Sequence, residues 1–218
     1  MKGIFITFEG IDGSGKTTQI ELLNSFLKQS GFDVVLTKEP GGTDIGDKIR
    51  KILLDSKNIQ MSYRAETLLF LASRTELVSK VIQPSLNQGK IIICDRFFDS
   101  TIAYQGIARQ LGAEKILDMS LWATENIIPD LTFLLSIDVW ECENRIKNGK
   151  KKKDRIEKEE IDFKSKIQEG YIQLAGKNKE RFVIVDGCLG IESVFAVVKS
   201  NTLRVLKSKG FNLLQSCY

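Results

Sequence analysis

The sequence predicts an α/β domain of three layers, in which a parallel sheet of five strands is covered by helices on both faces. Two observations carry this prediction. Five short apolar runs are continuous rather than alternating, which is typical of parallel strands that are buried on both faces. Segments with apolar residues at helical spacing lie between the runs, and strand–helix–strand connections of this kind build parallel sheets.

The predicted strands are 4–8, 34–36, 91–94, 131–135 and 182–185. Apolar residues three and four apart predict helices at 17–28, 45–53, about 63–86, about 100–108, about 113–126 and 191–206. A length of 218 residues without a Pro- or Ser-rich linker predicts one domain, 1–218. Within it, the lysine-rich stretch 148–154 predicts a mobile flap, or lid, over about 143–157.

The composition excludes several kinds of chemistry. The chain contains no histidine, which excludes Ser-His-Asp triads, HExxH zinc sites and imidazole proton shuttles. The net charge is only +4, and the lysine run 150–153 lacks the aromatic interleaving of a nucleic-acid surface. Four cysteines without a CxxC pair, with neither an export signal nor a membrane-spanning apolar stretch, predict a cytoplasmic protein with reduced thiols that binds no membrane.

A glycine-rich loop follows the first predicted strand and precedes a predicted helix. Its sequence is Gly10-Ile11-Asp12-Gly13-Ser14-Gly15-Lys16-Thr17, followed by Thr18. This GxxxxGKT pattern stands in the strand–loop–helix setting that it requires, where backbone N–H groups surround phosphate oxygens. Lys16 would neutralise the β- and γ-phosphates, and the Thr17 hydroxyl would bind Mg²⁺. The phosphate loop (residues 10–17) therefore predicts a nucleoside triphosphate site.

Charged residues also follow the second and third predicted strands. Glu39 begins the segment Glu-Pro-Gly-Gly-Thr after the second strand, and Asp95-Arg96 follows the third. Because the carboxyl ends of parallel strands meet at one edge of the sheet, these groups should lie beside the phosphate loop. Asp95 would then support Mg²⁺, and Arg96 would hold a phosphate group.

Two further clusters are expected at the same edge. Phe70 and Arg74 share one face of the long predicted helix, which suits an aromatic plate and a guanidinium group that together bind a nucleobase. Ser100 is predicted to cap the next helix, from which Tyr104 and Gln105 project polar groups. Two anion-binding clusters at one edge predict two phosphorylated ligands, and so favour phosphoryl transfer over hydrolysis.

In this order, the segments resemble thymidylate kinase of the bacterial type. The resemblance spans about residues 3–190, and its most specific parts are Glu-Pro-Gly-Gly-Thr at 39–43 and Tyr-Gln-Gly at 104–106. It includes Asp-Arg-Ile-Glu at 154–157. The resemblance implies a P-loop nucleoside monophosphate kinase fold, a homodimer, and the reaction ATP + dTMP → ADP + dTDP with Mg²⁺, a step of dTTP biosynthesis.

The resemblance also implies roles for residues that would contact dTMP. Phe70 stacks on thymine, Arg74 reads its O4 atom, and Gln105 contacts the base. Tyr104 crowds the 2′ position of the sugar, and Asp12 binds its 3′-hydroxyl. The full set of implied dTMP contacts is Asp12, Glu39, Arg50, Phe70, Arg74, Arg96, Ser100, Tyr104 and Gln105.

The donor side is assigned in the same way. The implied ATP contacts are Gly10, Ile11, Asp12, Gly13, Ser14, Gly15, Lys16, Thr17 and Thr18. Catalysis would depend on Lys16, Arg96 and Arg155, and Mg²⁺ would bind to Thr17 and Asp95. The flap departs from the family pattern, because lysines at 150–153 stand where several arginines are usual and lysine lacks the bidentate fork of arginine.

Two other functions stay open on the sequence. The first is a kinase that acts on another nucleotide or on a nucleoside. A nucleoside kinase would need a base to deprotonate the acceptor hydroxyl, and Glu9 or Glu39 could be that base. A nucleotide-binding switch of the GTPase class is the other, and it would need an NKxD motif after a strand. The nearest match, Asn-Lys-Glu-Arg at 178–181, has arginine in place of the aspartate and precedes its strand.

Overall fold

The computed structural model describes residues 2–148 and 154–211, and its centre is a parallel sheet of five strands. The strands are β1 (Ile4–Glu9), β2 (Val34–Lys38), β3 (Ile91–Asp95), β4 (Leu131–Ser136) and β5 (Phe182–Asp186), in the order β2-β3-β1-β4-β5. Phe8 and Lys38 both pair with Asp95, so β1, β2 and β3 end side by side. The predicted sheet is confirmed.

Helices connect the strands and cover the sheet. Those in the described residues are α1 (Lys16–Gln29), α2 (Asp44–Leu54), α3 (Tyr63–Leu77), α4 (Gln83–Asn87), α5 (Phe98–Thr101), α6 (Ala113–Ala123), α7 (Val139–Asn148), α8 (Ile161–Lys177) and α9 (Ile191–Ser208). A π-helical segment, Val78–Ile82, joins α3 to α4, and a second one, Ile102–Ala108, continues α5. A short 3₁₀ turn, Ser56–Asn58, follows α2. The long helix predicted at about 63–86 is therefore confirmed as α3, a π-helical segment and α4.

Apolar side chains fill both faces of the sheet, as the sequence predicts. On one face, Ile6 of β1 packs in a cluster with Leu23 of α1 and Val198 of α9. On the other face, Phe5 of β1 packs in a cluster with Leu77 of α3. Burying each such side chain contributes about 1.5–3 kcal/mol, so the alternating residues of β1 hold the three layers together.

The two edge strands differ from the prediction that every strand is covered on both faces. Leu36 of β2 is 47% exposed and Ile184 of β5 is 50% exposed, whereas every residue of β1 is buried. The strand order explains the difference, because β2 and β5 lie at the margins of the sheet, where the layers of helices end.

The sequence analysis missed two helices between β4 and β5, α7 and α8. The spacing of Ile167, Tyr171 and Leu174 is helical and could have indicated α8. The flap predicted at about 143–157 begins within α7 and includes the turn at 154–157, but its lysines 150–153 lie outside the described residues. Across residues 2–148 and 154–211, no helix is long and apolar enough to cross a membrane.

Candidate active site

The carboxyl ends of β1, β2 and β3 open into a cavity of about 430 Å³. Most site residues predicted from the sequence line it: Asp12, Gly13, Gly15, Lys16, Thr17, Thr18, Glu39, Arg50, Phe70, Asp95, Arg96, Ser100, Tyr104 and Gln105. Others stand outside the lining that the described residues form: Gly10, Ile11, Ser14, Arg74 and Arg155. One space thus joins the phosphate loop to the groups expected to bind a second ligand.

The phosphate loop needs glycine where its backbone passes close to neighbouring segments. A Cβ atom on Gly13, where φ is +84°, would lie 2.7 Å from the carbonyl oxygen of Cys142. A Cβ atom on Gly10 would lie 2.6 Å from the carbonyl oxygen of Leu135. Helix α1 begins at Lys16, near the end of the loop, and no side chain in the described part of the chain caps its N-terminus. Its first N–H groups therefore point an uncompensated positive dipole at any anion in the loop.

The Lys16 ammonium group folds back over the phosphate loop. Its Nζ atom donates to the carbonyl oxygens of Gly10, at 2.9 Å, and Ile11, at 3.1 Å. Burial lowers the pKa of Lys16, because the charged ammonium group has lost water, and the nearby charge of Arg96 lowers it further. An anion in the loop would restore a favourable environment for this charge.

Two loop residues predicted to bind ATP face away from the cavity. The Ile11 side chain is buried in an apolar cluster with Ile167 and Tyr171 of α8. Ser14 is also buried, and its hydroxyl has no hydrogen-bond partner among the residues that the structure describes. If these two residues contact a nucleotide, they do so through the backbone of the loop.

Arg74 is 1% exposed and forms a buried ion pair with Glu39. Its Nε atom lies 2.8 Å from Glu39 Oε2, and its Nη2 atom donates to Thr101 Oγ1 at 2.9 Å. Burial raises the pKa of Glu39, and the charge of Arg74 opposes that rise. Arg74 thus has the acceptor that an arginine in an apolar stripe requires. Its Nη1 atom is buried and has no partner within the described residues.

Helices α2 and α3 place two further predicted residues on the cavity. Thr43 caps α2 by accepting a hydrogen bond from the backbone N–H of Gly46, which anchors the helix just after the segment at 39–43. Arg50 lies two turns further along α2, and its Nη1 atom donates to the carbonyl oxygen of Pro40 at 2.7 Å. Phe70 of α3 lines the same cavity, so a guanidinium and an aromatic ring flank one part of it.

Asp95 ends β3 and Arg96 follows it, and both residues line the cavity. Arg96 has a φ of +70°, which is unfavourable for a residue with a side chain. Its guanidinium donates to Asp12 Oδ1 at 2.8 Å and to Tyr171 Oη at 3.1 Å, and it lies over the ring of Tyr104. These contacts hold Arg96 in a strained conformation, as is common for residues that act on a ligand.

Glu9 at the end of β1 organises the segment behind Arg96. Its carboxylate accepts hydrogen bonds from the Phe97 backbone N–H at 2.7 Å, from Ser100 Oγ at 2.6 Å and from Tyr171 Oη at 2.7 Å. The prediction that Ser100 caps a helix is wrong, because α5 begins at Phe98 and the Ser100 hydroxyl is bound to Glu9. Sequence reasoning also missed Tyr171, which α8 brings to the site.

The Glu9 cluster predicts a pH dependence of stability. Burial raises the pKa of Glu9 from its ordinary value of 4.5 to about 7, with a further rise from the nearby charge of Asp99. The folded chain therefore holds a proton that the unfolded chain releases, so the free energy of unfolding should fall as the pH rises from 4.5 to about 7. The Glu9 contribution to this fall is about 3 kcal/mol.

Chemical denaturation across this pH range will measure the effect of Glu9. The isosteric variant Glu9→Gln cannot lose a proton, so its free energy of unfolding should change less with pH than that of the natural chain. Glu21→Gln, on the exposed surface of α1, is the matched control and should keep the natural slope. A Glu9→Gln variant with an unchanged slope would contradict the assignment.

Arg155 lies in the turn at 154–157 and, unlike Asp154, Ile156 and Glu157, stands outside the cavity lining that the described residues form. Its Nη2 atom is 2.7 Å from Glu66 Oε2, and its Nε atom donates to the carbonyl oxygen of Leu53 at 2.8 Å. Asp154 shapes the turn by accepting hydrogen bonds from the backbone N–H groups of Ile156 and Glu157. In this structure Arg155 therefore ties the flap to α2 and α3, and its role in catalysis stays a prediction.

Comparisons with known proteins agree on one family. The family model described as thymidylate kinase matches residues 8–198. A thymidylate kinase of Thermosipho africanus is 47% identical over 94% of this chain and 100% of its own length. A thymidylate kinase of Bifidobacterium longum is 42% identical over 92% of this chain and 98% of its own length. The crystal structure of a thymidylate kinase from Ehrlichia chaffeensis superposes with a TM-score of 0.76 at 35% identity, covering 93% of this chain and 99% of that one.

These matches extend over both ends of the cavity, from β1 to α9, so the phosphate loop and the second ligand site belong to one family pattern. The structural match identifies the fold as that of the P-loop nucleoside monophosphate kinases, as the sequence predicts. The chain therefore belongs to the thymidylate kinase family, whose members are nucleoside monophosphate kinases that use ATP to phosphorylate dTMP to dTDP.

Proposed function

We propose that this chain transfers the γ-phosphoryl group of ATP to dTMP inside the cavity at the ends of β1, β2 and β3. The observation that carries the proposal is the continuity of that cavity, which is lined by Lys16 and Thr17 at one part and by Phe70, Arg50 and Gln105 at another. Alignment of two phosphorylated ligands in one enclosed space is what phosphoryl transfer requires of a protein.

The acceptor dTMP fits the groups around Phe70. The exposed face of the Phe70 ring offers a stacking surface for thymine, and the guanidinium groups of Arg50 and Arg96 would hold its phosphate. Arg74 would serve the base through its buried Nη1 atom, which has no partner among the described residues and which the O4 acceptor of thymine would satisfy. Tyr104 lines the cavity beside Arg96, where it would limit the space for a 2′-hydroxyl.

A divalent cation fits the donor side of the cavity. Thr17 and Asp95 both line it, and the Asp95 Oδ1 atom is buried without a hydrogen-bond partner in the described ranges. Hydroxyl and carboxylate oxygens suit Mg²⁺, which usually takes few protein ligands and completes its shell with phosphate oxygens and water. Thr17 and Asp95 would hold Mg²⁺, which supplies charge neutralisation at the phosphates of ATP.

Charge neutralisation by this chain would act on the transferred group. Lys16 would leave the carbonyl oxygens of Gly10 and Ile11 to bind phosphate oxygens, and Arg96 would hold the acceptor phosphate in line. The positive end of the α1 helix dipole would add to the charges of Lys16 and Arg96. Because the acceptor is already an anionic phosphate, the reaction needs no strong base, and a chain without histidine can perform it.

The environment of the two carboxylates disfavours a nucleoside kinase. Such an enzyme would use Glu9 or Glu39 as the base for a hydroxyl group. Glu9 is fully buried and already accepts three hydrogen bonds, and Glu39 is paired with Arg74. Neither carboxylate is available to a substrate hydroxyl, because donors of the chain already bind each of them.

Initial rates of ADP formation from MgATP test this function. The reaction should be fastest with dTMP and much slower with thymidine, UMP or no acceptor, and omission of Mg²⁺ should abolish it. A rate that is highest with thymidine would assign a nucleoside kinase. ATP loss that does not depend on an acceptor would assign a nucleotide-binding switch and overturn the proposal.

We also propose that two copies of the chain form the homodimer that the resemblance implies. Two large apolar side chains support this: Leu68 of α3 is 57% exposed and Trp122 of α6 is 81% exposed, and the two helices pack against each other. A second copy would cover this apolar surface.

Light scattering of the purified chain tests the dimer. Trp122→Glu should shift the measured mass from two chains to one, because it places a charge in the apolar interface. Trp140→Glu is the matched control, since Trp140 of α7 is also exposed but lies elsewhere. A natural chain that is monomeric, or a Trp122→Glu variant that stays dimeric, would contradict the proposed interface.

The proposal includes a reducing, cytoplasmic setting. Cys94 and Cys142 are buried and Cys188 is exposed, and none of these three thiols forms a disulfide in the described part of the chain. Free thiols of this kind are typical of proteins kept under reducing conditions. Fractionation of the source cells with antibodies to the chain would test the location.

A further inference from the structure

Glu66 is a buried carboxylate that the proposed mechanism does not use. It lies in the first turn of α3, is 0% exposed, and stands outside the cavity lining formed by the described residues. A charge in such a position is costly unless donors surround it. The groups that surround Glu66 therefore indicate what the carboxylate does.

In the described part of the chain, two side chains donate hydrogen bonds to Glu66 and a third forms an ion pair with it. Gln105, in the π-helical segment Ile102–Ala108, donates from its Nε2 atom to Glu66 Oε1 at 2.9 Å. Arg109, directly after that segment, donates from Nε to the same oxygen at 3.5 Å, and Arg155 of the flap lies 2.7 Å from Glu66 Oε2. Glu66 thus connects the flap to the segment that carries Gln105.

Arg109 is itself held by several contacts. Its guanidinium lies between two aromatic rings, 4.3 Å from the centroid of Tyr63 and 4.1 Å from that of Phe163. A second carboxylate, that of Glu159, accepts a hydrogen bond from Arg109 Nη2. Stacking and ion pairing together hold the Arg109 guanidinium in place beside Glu66.

The chemistry of the carboxylate determines which way the Gln105 amide faces. A carboxylate between two guanidinium groups can only accept hydrogen bonds, so the amide must turn its NH₂ group towards Glu66. The carbonyl oxygen Oε1 is then at the opposite side of the amide, and Gln105 is also a residue of the cavity lining. Glu66 therefore decides whether Gln105 offers an acceptor or a donor to a ligand.

We propose that Glu66 is a positioning residue that sets the base selectivity of the acceptor site through Gln105. This inference rests on the proposed function, in which the base of dTMP binds beside Phe70 and Gln105. An amide that presents Oε1 accepts from the N3–H group of thymine. The same amide disfavours the binding of cytosine. The N3 atom of cytosine is an acceptor, so it would face the Oε1 atom of Gln105 with no hydrogen between them.

The test is the ratio of kcat/KM for dTMP to kcat/KM for dCMP, measured in the natural chain and in Glu66→Gln. A glutamine at position 66 can donate to Gln105 Oε1 and so allows the Gln105 amide to turn over. We expect the ratio to fall by about tenfold or more, as is usual when a site loses a hydrogen bond that distinguishes two ligands. Both substrates are assayed on the same preparation, so the ratio does not depend on the fraction of folded enzyme.

Glu159→Gln is the matched control, because it changes the other carboxylate of Arg109 by the same one atom and leaves the Gln105 amide alone. Its ratio should stay near that of the natural chain. An unchanged ratio in Glu66→Gln, or an equal fall in both variants, would overturn the proposal, since either result assigns Glu66 a purely structural role.

A second variant, Gln105→Leu, tests the other half of the inference and serves if Glu66→Gln does not fold. Removal of the amide should lower the ratio, and adding Glu66→Gln to it should cause no further fall. A natural ratio in Gln105→Leu would overturn the proposal. Failure of the natural chain to phosphorylate dTMP would instead overturn the proposed function itself, so the two failures are distinguishable.

Discussion

Replacement of Arg96 with alanine is expected to lower kcat/KM for dTMP by about a thousandfold, the scale seen when one cationic group is removed from a phosphoryl-transfer site. Arg96 Nη2 lies 2.8 Å from Asp12 Oδ1 in the phosphate loop, while Nη1 bonds to Tyr171 at 3.1 Å. The guanidinium therefore lines the cavity while it is bonded both to the phosphate loop and to the buried cluster around Glu9. Steady-state kinetics with both substrates varied will measure the loss.

The variant Arg96→Lys separates the charge of Arg96 from its geometry, and Arg204→Ala is the matched control. Arg96→Lys keeps a positive charge without the planar fork, and we expect it to recover only a small part of the activity. Arg204→Ala removes an exposed arginine of α9 and should leave the rates unchanged. An Arg96→Ala variant with full turnover at saturating substrates would remove Arg96 from the mechanism.

The strained backbone at Arg96 adds a third comparison. Because φ is +70° there, Arg96→Gly should unfold at a higher temperature than Arg96→Ala, by an amount equivalent to about 1 kcal/mol. Both variants should be equally inactive, since both lack the guanidinium. An Arg96→Gly enzyme that keeps its activity would mean that the turn, and not the side chain, is what the reaction requires.

The sequence predicts those parts of the site that are local along the chain. The phosphate loop joins β1 to α1, Asp95 ends β3 and Arg96 directly follows it, so strand order and a motif are enough to place them at one edge. Glu39 is predicted in the same way, since it directly follows β2. The five strands were predictable for a related reason, because each is a short run of buried apolar residues.

Other features depend on segments that are distant in the sequence. Arg74 pairs with Glu39, and Arg155 with Glu66, because folding brings α3 against the segment after β2 and against the flap. No local pattern encodes either pairing. Tyr171 reaches the cluster around Glu9 only because α8 packs beside the segment that follows α5.

The wrong prediction for Ser100 has the same origin. Serine is a common N-cap by local propensity, but the Ser100 hydroxyl is drawn into the hydrogen bonds of Glu9 and Tyr171, and α5 begins two residues earlier. The tertiary contact outweighs the local preference. A buried carboxylate that needs donors is thus a stronger determinant of local structure here than the capping tendency of one serine.

Replacement of Lys16 with methionine is the second change expected to have a large effect, a loss of about a thousandfold or more in kcat. Methionine retains much of the buried aliphatic length and removes the charge. Burial lowers the pKa of Lys16, so the ammonium group is held in the folded chain at a cost, and its removal should not reduce the stability of the unliganded enzyme by much.

Thermal unfolding with and without MgATP will measure how much the Lys16 charge contributes to the binding of the triphosphate. A ligand present at a hundred times its Kd stabilises the folded state by about 2.7 kcal/mol, and this shift should be largely lost in Lys16→Met. Lys28→Met, at the exposed end of the same helix, should retain both the shift and the rate. A Lys16→Met enzyme that MgATP still stabilises fully would mean that backbone N–H groups alone hold the triphosphate. The bonds from Lys16 to Gly10 and Ile11 would then only shape the loop, and catalytic charge would come from Arg96 and the metal.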